Sequence, residues 1–491
     1  MKAVDKLLVT KENESVLDIK CDPSIAEELK DFFSFFVPGH KFMPAFRRRI
    51  WDGKIKLFNS ITGELPVGLY PYLRSFCEKR SYNMEHVSSS YGSPDEENPI
   101  NLKLLMEFIE SLNLPHKIRD YQFDAFVEGI KRMRAILVSP TGSGKSLIIY
   151  CLMRWYIDNY SDKVLIIVPT TSLVEQMNSD FKSYGYDDSH LVYSGKDKNT
   201  DKKVMISTWQ SIHRLNIDWF DQFGLVFGDE CHGFKAKSLT SIMHKSRQAK
   251  YRFGTTGTLD GSQTHELVLQ GLFGKIFKVT TTRKLQDSDT LAQLNISMVM
   301  LNHSNEIKKD FSKKTYHEEI DYLINNTNRN SFISKLASDQ KGNTLVLFQF
   351  VEKHGKVLYD LINTRIDEKR KLFFVSGEVD TTDREAIRGI VEKQDNAIIV
   401  ASLGTFSTGI NIRNLHNIIF ASPSKSQIRV LQSIGRGLRK SDNNVNTRLF
   451  DIADDIRSRD KTNYSYIHAL ERIKIYKKEK FNFKIHKVDL T

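Results

Sequence analysis

The chain has 491 residues, too many for one hydrophobic core, so two to four domains are expected. With 40% hydrophobic and 27% charged residues it has the balance of a soluble globular protein, which excludes a fibrous or disordered chain. The 72 basic and 60 acidic side chains leave a formal charge of +12, which suits a polyanionic partner, most simply nucleic acid.

Four cysteines (Cys21, Cys77, Cys151, Cys231) stand far apart without a CxxC pair, so reduced thiols are expected in place of a disulfide frame or a zinc site. No apolar run approaches about 18 residues and no signal peptide opens the chain, so a cytoplasmic location without membrane contact is expected.

In chain order, residues 1–90 read as a small α+β accessory domain. Within them "HKFMPAFRRRIWDGKIKLFN" (40–59) sets six Lys and Arg residues, among them Arg47, Arg48 and Arg49, between Phe42, Phe46, Trp51 and Phe58. Such interleaving marks a nucleic-acid surface. A small core with a charged edge explains any single residue equally well, and Trp51 reads as core. The stretch "SSSYGSPDEENP" (88–99) is polar, acidic and bounded by proline, as a linker is.

Short β-rich runs then alternate with helical stretches. "RAILVSP", "KVLIIVPT", "KVMISTW", "LVFGDE" and "YRFGTTGT" predict buried strands over 100–280. The pattern restarts in "TLVLFQF", "KLFFVSG", "NAIIVAS", "HNIIFAS" and "TRLFDIA" over 281–455. The expectation is an α/β protein with two tandem parallel-sheet domains, loops clustered at the carboxyl edges of the sheets. Residues 456–491, rich in lysine, are expected to form a basic helical segment.

"SPTGSGKS" (139–146) ends a strand and opens a helix, the setting a phosphate loop requires. Small residues Thr141, Gly142, Ser143 and Gly144 let backbone N–H groups converge on phosphates, Lys145 reaches the outer ones, and the Ser146 hydroxyl can ligate Mg²⁺. Ser139 departs from the usual pattern, which has Gly there. About 80 residues on, "LVFGDECHGF" ends a strand in two carboxylates. Asp229 suits the Mg²⁺ site and Glu230 suits the base that deprotonates an attacking water, with His232 as a relay.

These motifs resemble the DExH branch of the superfamily 2 helicases, and the other pieces of that family follow in order. "RDYQ" resembles the motif whose glutamine, here Gln122, reads adenine. "VPTTSLVEQ" and "STWQS" resemble the strand-contacting motifs of the first domain, and "GTTGT" (254–258) the one that links hydrolysis to domain movement. "VSGEVDTTDRE", "ASLGTFSTGINI" and "QSIGRGLR" match the second domain's series. The resemblance covers about residues 115–445 and implies two RecA-like domains that hydrolyse ATP with Mg²⁺. It implies that Thr170, Ser207, Thr208, Ser376 and Thr405 grip a strand, and that Gly409 lies in a nucleotide-contacting motif. Gln432, Arg436 and Arg439 would complete catalysis, the arginines acting on the γ-phosphate from the second domain. Asn411 stands where many relatives carry Asp.

The N-terminal segment resembles the accessory domain of the bacteriophage recombination helicases. That implies a substrate class of branched or single-strand-containing DNA, RNA–DNA hybrids included, worked on by a monomer. An RNA helicase, a restriction-type translocase and an ATP-gated junction clamp are the alternatives.

Overall fold

Alternation in the first strand, with Leu7 and Val9 buried and their neighbours outward, starts the first sheet of the computed structural model. The structure describes all residues except 1–5, 235, 260–261, 289–290, 292, 312–313, 380, 410–411, 413, 423–433, 436–446, 459–461 and 491. Two compact units emerge, residues 1–139 with 144–279, and residues 140–143 with 280–491.

In the first unit, strands β1 (Lys6–Lys11) and β2 (Val16–Lys20) pair antiparallel. A separate hairpin joins β3 (Ser34–Phe36) to β4 (Lys54–Lys56). Strands β5 (Glu64–Pro66) and β6 (Asn83–Val87) complete a four-stranded sheet ordered β5-β2-β1-β6. Helices Pro23–Phe32 and Tyr70–Arg80 supply Ile25, Leu29, Leu73 and Phe76 to its core. This is the small N-terminal α/β domain.

The second sheet of this unit contains β7 (Arg134–Val138), β8 (Lys163–Val168), β9 (Ser189–Val192), β10 (Val204–Thr208), β11 (Phe223–Asp229), β12 (Tyr251–Thr256) and β13 (Ile276–Lys278). Its order is β13-β7-β12-β11-β8-β10-β9, every pairing parallel. Runs such as VLIIV are buried along their length because helices cover both faces of a parallel sheet.

The polar stretch 88–99 lies along the surface of this unit, where a free linker was expected. Ser89 Oγ donates to Lys11 O (2.7 Å), Lys11 Nζ to Tyr91 O (2.9 Å), and Asn98 Nδ2 to the Tyr251 hydroxyl (2.7 Å). Asp95, Glu96 and Glu97 pair with Arg74, Lys250 and Lys131.

In the second unit, β14 (Leu294–Asn302), β15 (Thr344–Phe348), β16 (Leu372–Val375), β17 (Ile398–Ser402), β18 (Asn417–Phe420), β19 (Thr447–Asp455) and β20 (Asn482–Asp489) form a sheet ordered β16-β17-β15-β18-β19-β14-β20, again parallel. The two sheets are tandem RecA-like domains. The expectation of a wholly helical C-terminal segment is corrected. Helix Tyr464–Lys478 is followed by edge strand β20, which pairs with β14 over Asn295–Asn302. Beneath it Arg472 and the Tyr476 hydroxyl both bind buried Asp451 (2.8 Å each). Asp454 is held likewise by Arg329 (3.0 Å) and His303 (3.1 Å). All four cysteines are free thiols. Among the described residues no helix is long and apolar enough to cross a membrane.

Candidate functional site

The buried strand β7 stops at Val138, and the backbone turns through Pro140–Ser143, where Ser143 N and Oγ both donate to Pro140 O (3.2 and 2.6 Å). Gly142 and Gly144 take φ of +84° and +79°, which side chains resist. Space also demands glycine at 144, since a Cβ there would lie 2.3 Å from Gln122 Nε2. Gln122 is itself fixed, its Oε1 accepting from Arg119 N (2.9 Å) at the start of helix Asp120–Arg132. The predicted adenine-reading residue therefore abuts the predicted phosphate loop.

Lys145 opens helix Lys145–Asn159, and its Nζ lies 3.1 Å from Glu230 Oε1. Glu230 has φ +50°, a strained value for a non-glycine residue at the end of β11. Its Oε2 is 3.3 Å from His232 Nδ1, which in turn is 3.1 Å from Thr256 Oγ1. The Thr255 hydroxyl donates to Asp229 Oδ1 (2.7 Å), directly across the β11–β12 pairing. Burial alone would raise the Glu230 carboxyl, but Lys145 and His232 outweigh it and hold it well below the usual carboxylate range. Asp229 moves the other way, raised by burial beyond what Lys145 returns, with Glu230 adding repulsion. The Ser146 hydroxyl is 3.2 Å from that of Tyr184, a neighbour the sequence did not suggest.

The expected strand contacts fall at the carboxyl ends of adjacent strands within each unit. In the first, Thr170 follows β8 and its Oγ1 caps helix Thr171–Ser183 by accepting from Leu173 N. Thr208 ends β10 and bonds Ser211 (2.9 Å), while Gln210 Nε2 donates to Pro169 O (3.4 Å), tying the two loops together. The expectation for the Ser207 side chain is corrected. It is fully buried in a strand covered on both faces, and its hydroxyl is directed at Val192 O (3.2 Å) and Thr208 O (3.0 Å). In the second unit Ser376 follows β16 and Thr405 follows β17. A Cβ on Gly377 would lie 3.9 Å from Thr405 Oγ1, which accepts from Ser402 Oγ (2.7 Å). Gly409 ends helix Leu403–Gly409. Asn411, Gln432, Arg436 and Arg439 lie outside the described residues.

The basic–aromatic segment divides by residue. Phe58 is core, and Trp51 is partly buried with its indole N–H on Lys54 O (2.9 Å). Phe42 and Ile50 stand out at 77% and 76% exposure. Lys41, Arg47 and Arg49 line a hollow of about 480 Å³ together with Phe46, Ile50 and Trp51. Arg48 is exposed beside it, and Asp52, the one acid in 40–59, is paired with Lys56 (2.8 Å). Asp52 also lines the hollow, and among the described residues no carboxylate pairs with Lys41, Arg47, Arg48 or Arg49, so cations stand around exposed apolar groups.

Sequence reasoning missed Arg252, which is 1% exposed on β12 yet carries a guanidinium. A charged residue within the otherwise apolar "YRFGTTGT" was the available signal.

Comparison with known proteins agrees with this geometry. Residues 8–86 match the family "DNA helicase UvsW, N-terminal", 115–261 "Type III restriction enzyme, res subunit", and 327–441 "Helicase conserved C-terminal domain". The chain is 36% identical to the ATP-dependent DNA helicase uvsW of Enterobacteria phage T4, over 96% of this chain and 97% of that one. It is 24% identical to the DNA 3'-5' translocase XPB2 of Sulfurisphaera tokodaii, over 66% of this chain and 79% of the relative. The crystal structure of T4 UvsW superposes with a TM-score of 0.51 at 35% identity, covering 99% of this chain and all of that one. Near-full-length identity at this level, with both motor sheets and the accessory domain in place, makes the chain a member of the UvsW family of ATP-dependent DNA helicases.

Proposed function

We propose that the chain uses ATP and Mg²⁺ to displace and remodel strands in branched DNA, including Holliday junctions, displacement loops, R-loops with their RNA–DNA hybrids, and stalled forks. One observation carries this reading. The phosphate-loop lysine, a base carboxylate, His232 and Thr256 form a continuous chain of contacts on the same unit that bears the exposed basic–aromatic element. As a family member similar to a phage protein, it is proposed to work as a monomer in the host cytoplasm.

The residues suit the nucleotide. Glycine at 144 leaves the cradle open, the helix N-terminus at Lys145 offers N–H groups and positive potential, and Ser146 and Asp229 would supply the hard oxygen donors that Mg²⁺ prefers. When bound, the metal neutralises phosphate charge. Lys145 binds Glu230 in this structure, so arriving phosphates draw the ammonium away. With that pull removed, burial raises the proton affinity of the Glu230 carboxylate, making it a stronger base toward the attacking water. Gln122 would read the adenine edge, and Arg436 and Arg439 would meet charge developing on the γ-phosphate. Thr170 and Thr208 in one unit and Ser376 and Thr405 in the other would grip backbone phosphates, contacts that tolerate any sequence. Arg47, Arg48 and Arg49 would hold phosphates near the branch point.

ATPase rates with single-stranded DNA, forked DNA and RNA as stimulators test this reading. Forked DNA is expected to stimulate most, with ATP-dependent release of the displaced strand. Equal stimulation by RNA would favour an RNA helicase, and ATP turnover without strand release a junction clamp.

A further inference from the structure

Arg252 occupies the second position of β12 and Arg134 the first of β7, directly opposite each other in adjacent strands. At their far ends these strands carry Thr255–Thr256 and the phosphate loop. Both arginines are occupied by the turn between β1 and β2 of the accessory domain. Arg252 Nη2 donates to Ser15 Oγ (2.7 Å) and Ser246 O, while its Nε donates to Ala249 O and its Nη1 to Met243 O. The Ser15 hydroxyl in turn donates to Met243 O (3.0 Å). Arg134 Nη2 donates to Glu14 Oε2 (2.7 Å) and Glu14 O, and Lys11 Nζ holds Glu14 Oε1 (2.9 Å). Lys11, Glu14, Ser15 and Arg252 are all buried.

A second attachment lies beyond the threonines. Helix Gln263–Phe273 follows them in the chain, and its Leu267 is buried in the accessory core with Leu69 and Leu73. Gly68 approaches so closely that a Cβ there would lie 1.9 Å from Gln270 O, while Gly271 would meet Pro66 at 3.0 Å. The Tyr72 hydroxyl donates to Gln270 Oε1 (3.1 Å). The segment between these attachments contains Thr255, bonded to Asp229, and Thr256, bonded to His232.

We infer that the accessory domain, besides offering a DNA surface, brackets both ends of the segment that reports the state of the hydrolytic carboxylates, making Ser15 and Gly68 positioning residues for converting hydrolysis into strand movement. The inference rests on the motor function proposed above. Relaxing either attachment lets the threonine segment respond to Asp229 and Glu230 without transmitting that response, so ATP is hydrolysed with less strand displaced.

The test compares full-length wild type, Ser15→Ala and Gly68→Ala. It measures forked-duplex base pairs displaced per ATP hydrolysed, alongside the melting temperature and the ATPase rate per folded molecule. The ratio is expected to fall about two- to thirtyfold in both variants while the ATPase rate stays within about twofold of wild type. A ratio equal to wild type overturns the inference, whether or not stability and ATPase fall together. Should Gly68→Ala not fold, Ser15→Ala, which only removes a hydroxyl, decides the matter alone. Wild type that hydrolyses ATP on forks yet displaces no strand would instead overturn the motor reading, and this inference with it.

Discussion

Lys145→Ala removes an ammonium 3.1 Å from Glu230 Oε1, where the two side chains are 18% and 23% exposed. Unit charges at that separation attract by about 5 kcal/mol at an effective dielectric near 20. Desolvation cancels much of this, so the expected loss of stability at pH 7 is about 1–3 kcal/mol. The sign of its pH dependence follows from Glu230. Its folded proton affinity is depressed, so its contribution is present above the unfolded value near pH 4.3 and disappears as pH falls through the folded value. Without Lys145 only His232 still opposes burial, so that carboxyl moves up and the contribution shrinks. The stability gap between wild type and variant is therefore widest at neutral pH, narrows below about pH 4 and closes only as pH falls through the folded value of Glu230. ATP turnover should fall by at least about 10²–10³-fold, the scale for losing one preorganised charge contact, while DNA binding in the absence of nucleotide persists. Urea unfolding at pH 7 and at about pH 3, clearly below the unfolded carboxyl value, with steady-state ATPase on single-stranded DNA, checks both parts. Turnover within a few fold of wild type would refute the phosphate-loop assignment, and a pH-independent stability gap would refute the pairing with Glu230.

Glu230→Gln keeps size but loses the base, so ATP should bind with near-normal affinity while single-turnover hydrolysis stalls; failure to bind would make Glu230 structural. Gly144→Ala forces a Cβ against Gln122 at φ +79°, and fluorescent-nucleotide titration should show affinity down about tenfold or more, given about 1–3 kcal/mol of backbone strain. Arg439→Ala, and similarly Arg436→Ala, should lower the catalytic rate by about 10³–10⁵ with little change in nucleotide affinity. A lowered melting temperature with normal hydrolysis by the folded fraction would show those arginines to be structural. Burial lowers His354 to about 3, and it bonds Ser422 (2.9 Å) and Asn330 (3.2 Å). The unfolded chain takes up that proton first, so stability should decline as pH drops from about 6.5 toward 3, by up to about 1.4 kcal/mol per pH unit. His354→Gln should flatten this slope in urea unfolding, and an unchanged profile would remove His354 as its source.

The sequence by itself determined the features whose chemistry lies in contiguous residues. Buried parallel strands such as β8 and β15 show as unbroken β-branched and aliphatic runs because both faces are covered, and the phosphate loop is legible because one short segment supplies the turn, the lysine and the hydroxyl. The carboxylates of Asp229–Glu230 were legible for the same reason, standing at the end of such a run. Tertiary structure alone decided what depends on distant partners. Edge strand β20 alternates charged and apolar residues with most of them exposed, and only its pairing with β14, nearly two hundred residues earlier, makes it a strand instead of a helix end. Ser207 and Thr208 are chemically alike in sequence, yet the hydroxyl of one is spent on backbone carbonyls of the sheet while the other closes the strand's end against Ser211. The stretch 88–99 has a linker's composition because a free linker and a surface strap both need polar side chains, and only the positions of Lys11, Lys131, Lys250 and Tyr251 separate the two. Arg252 is the sharpest case. A lone arginine in an apolar strand is costly to bury unless its N–H groups find acceptors, and those acceptors, Ser15 on the accessory domain, Met243 on helix Lys237–Lys245 and Ser246 and Ala249 on the loop before β12, meet only in the folded chain.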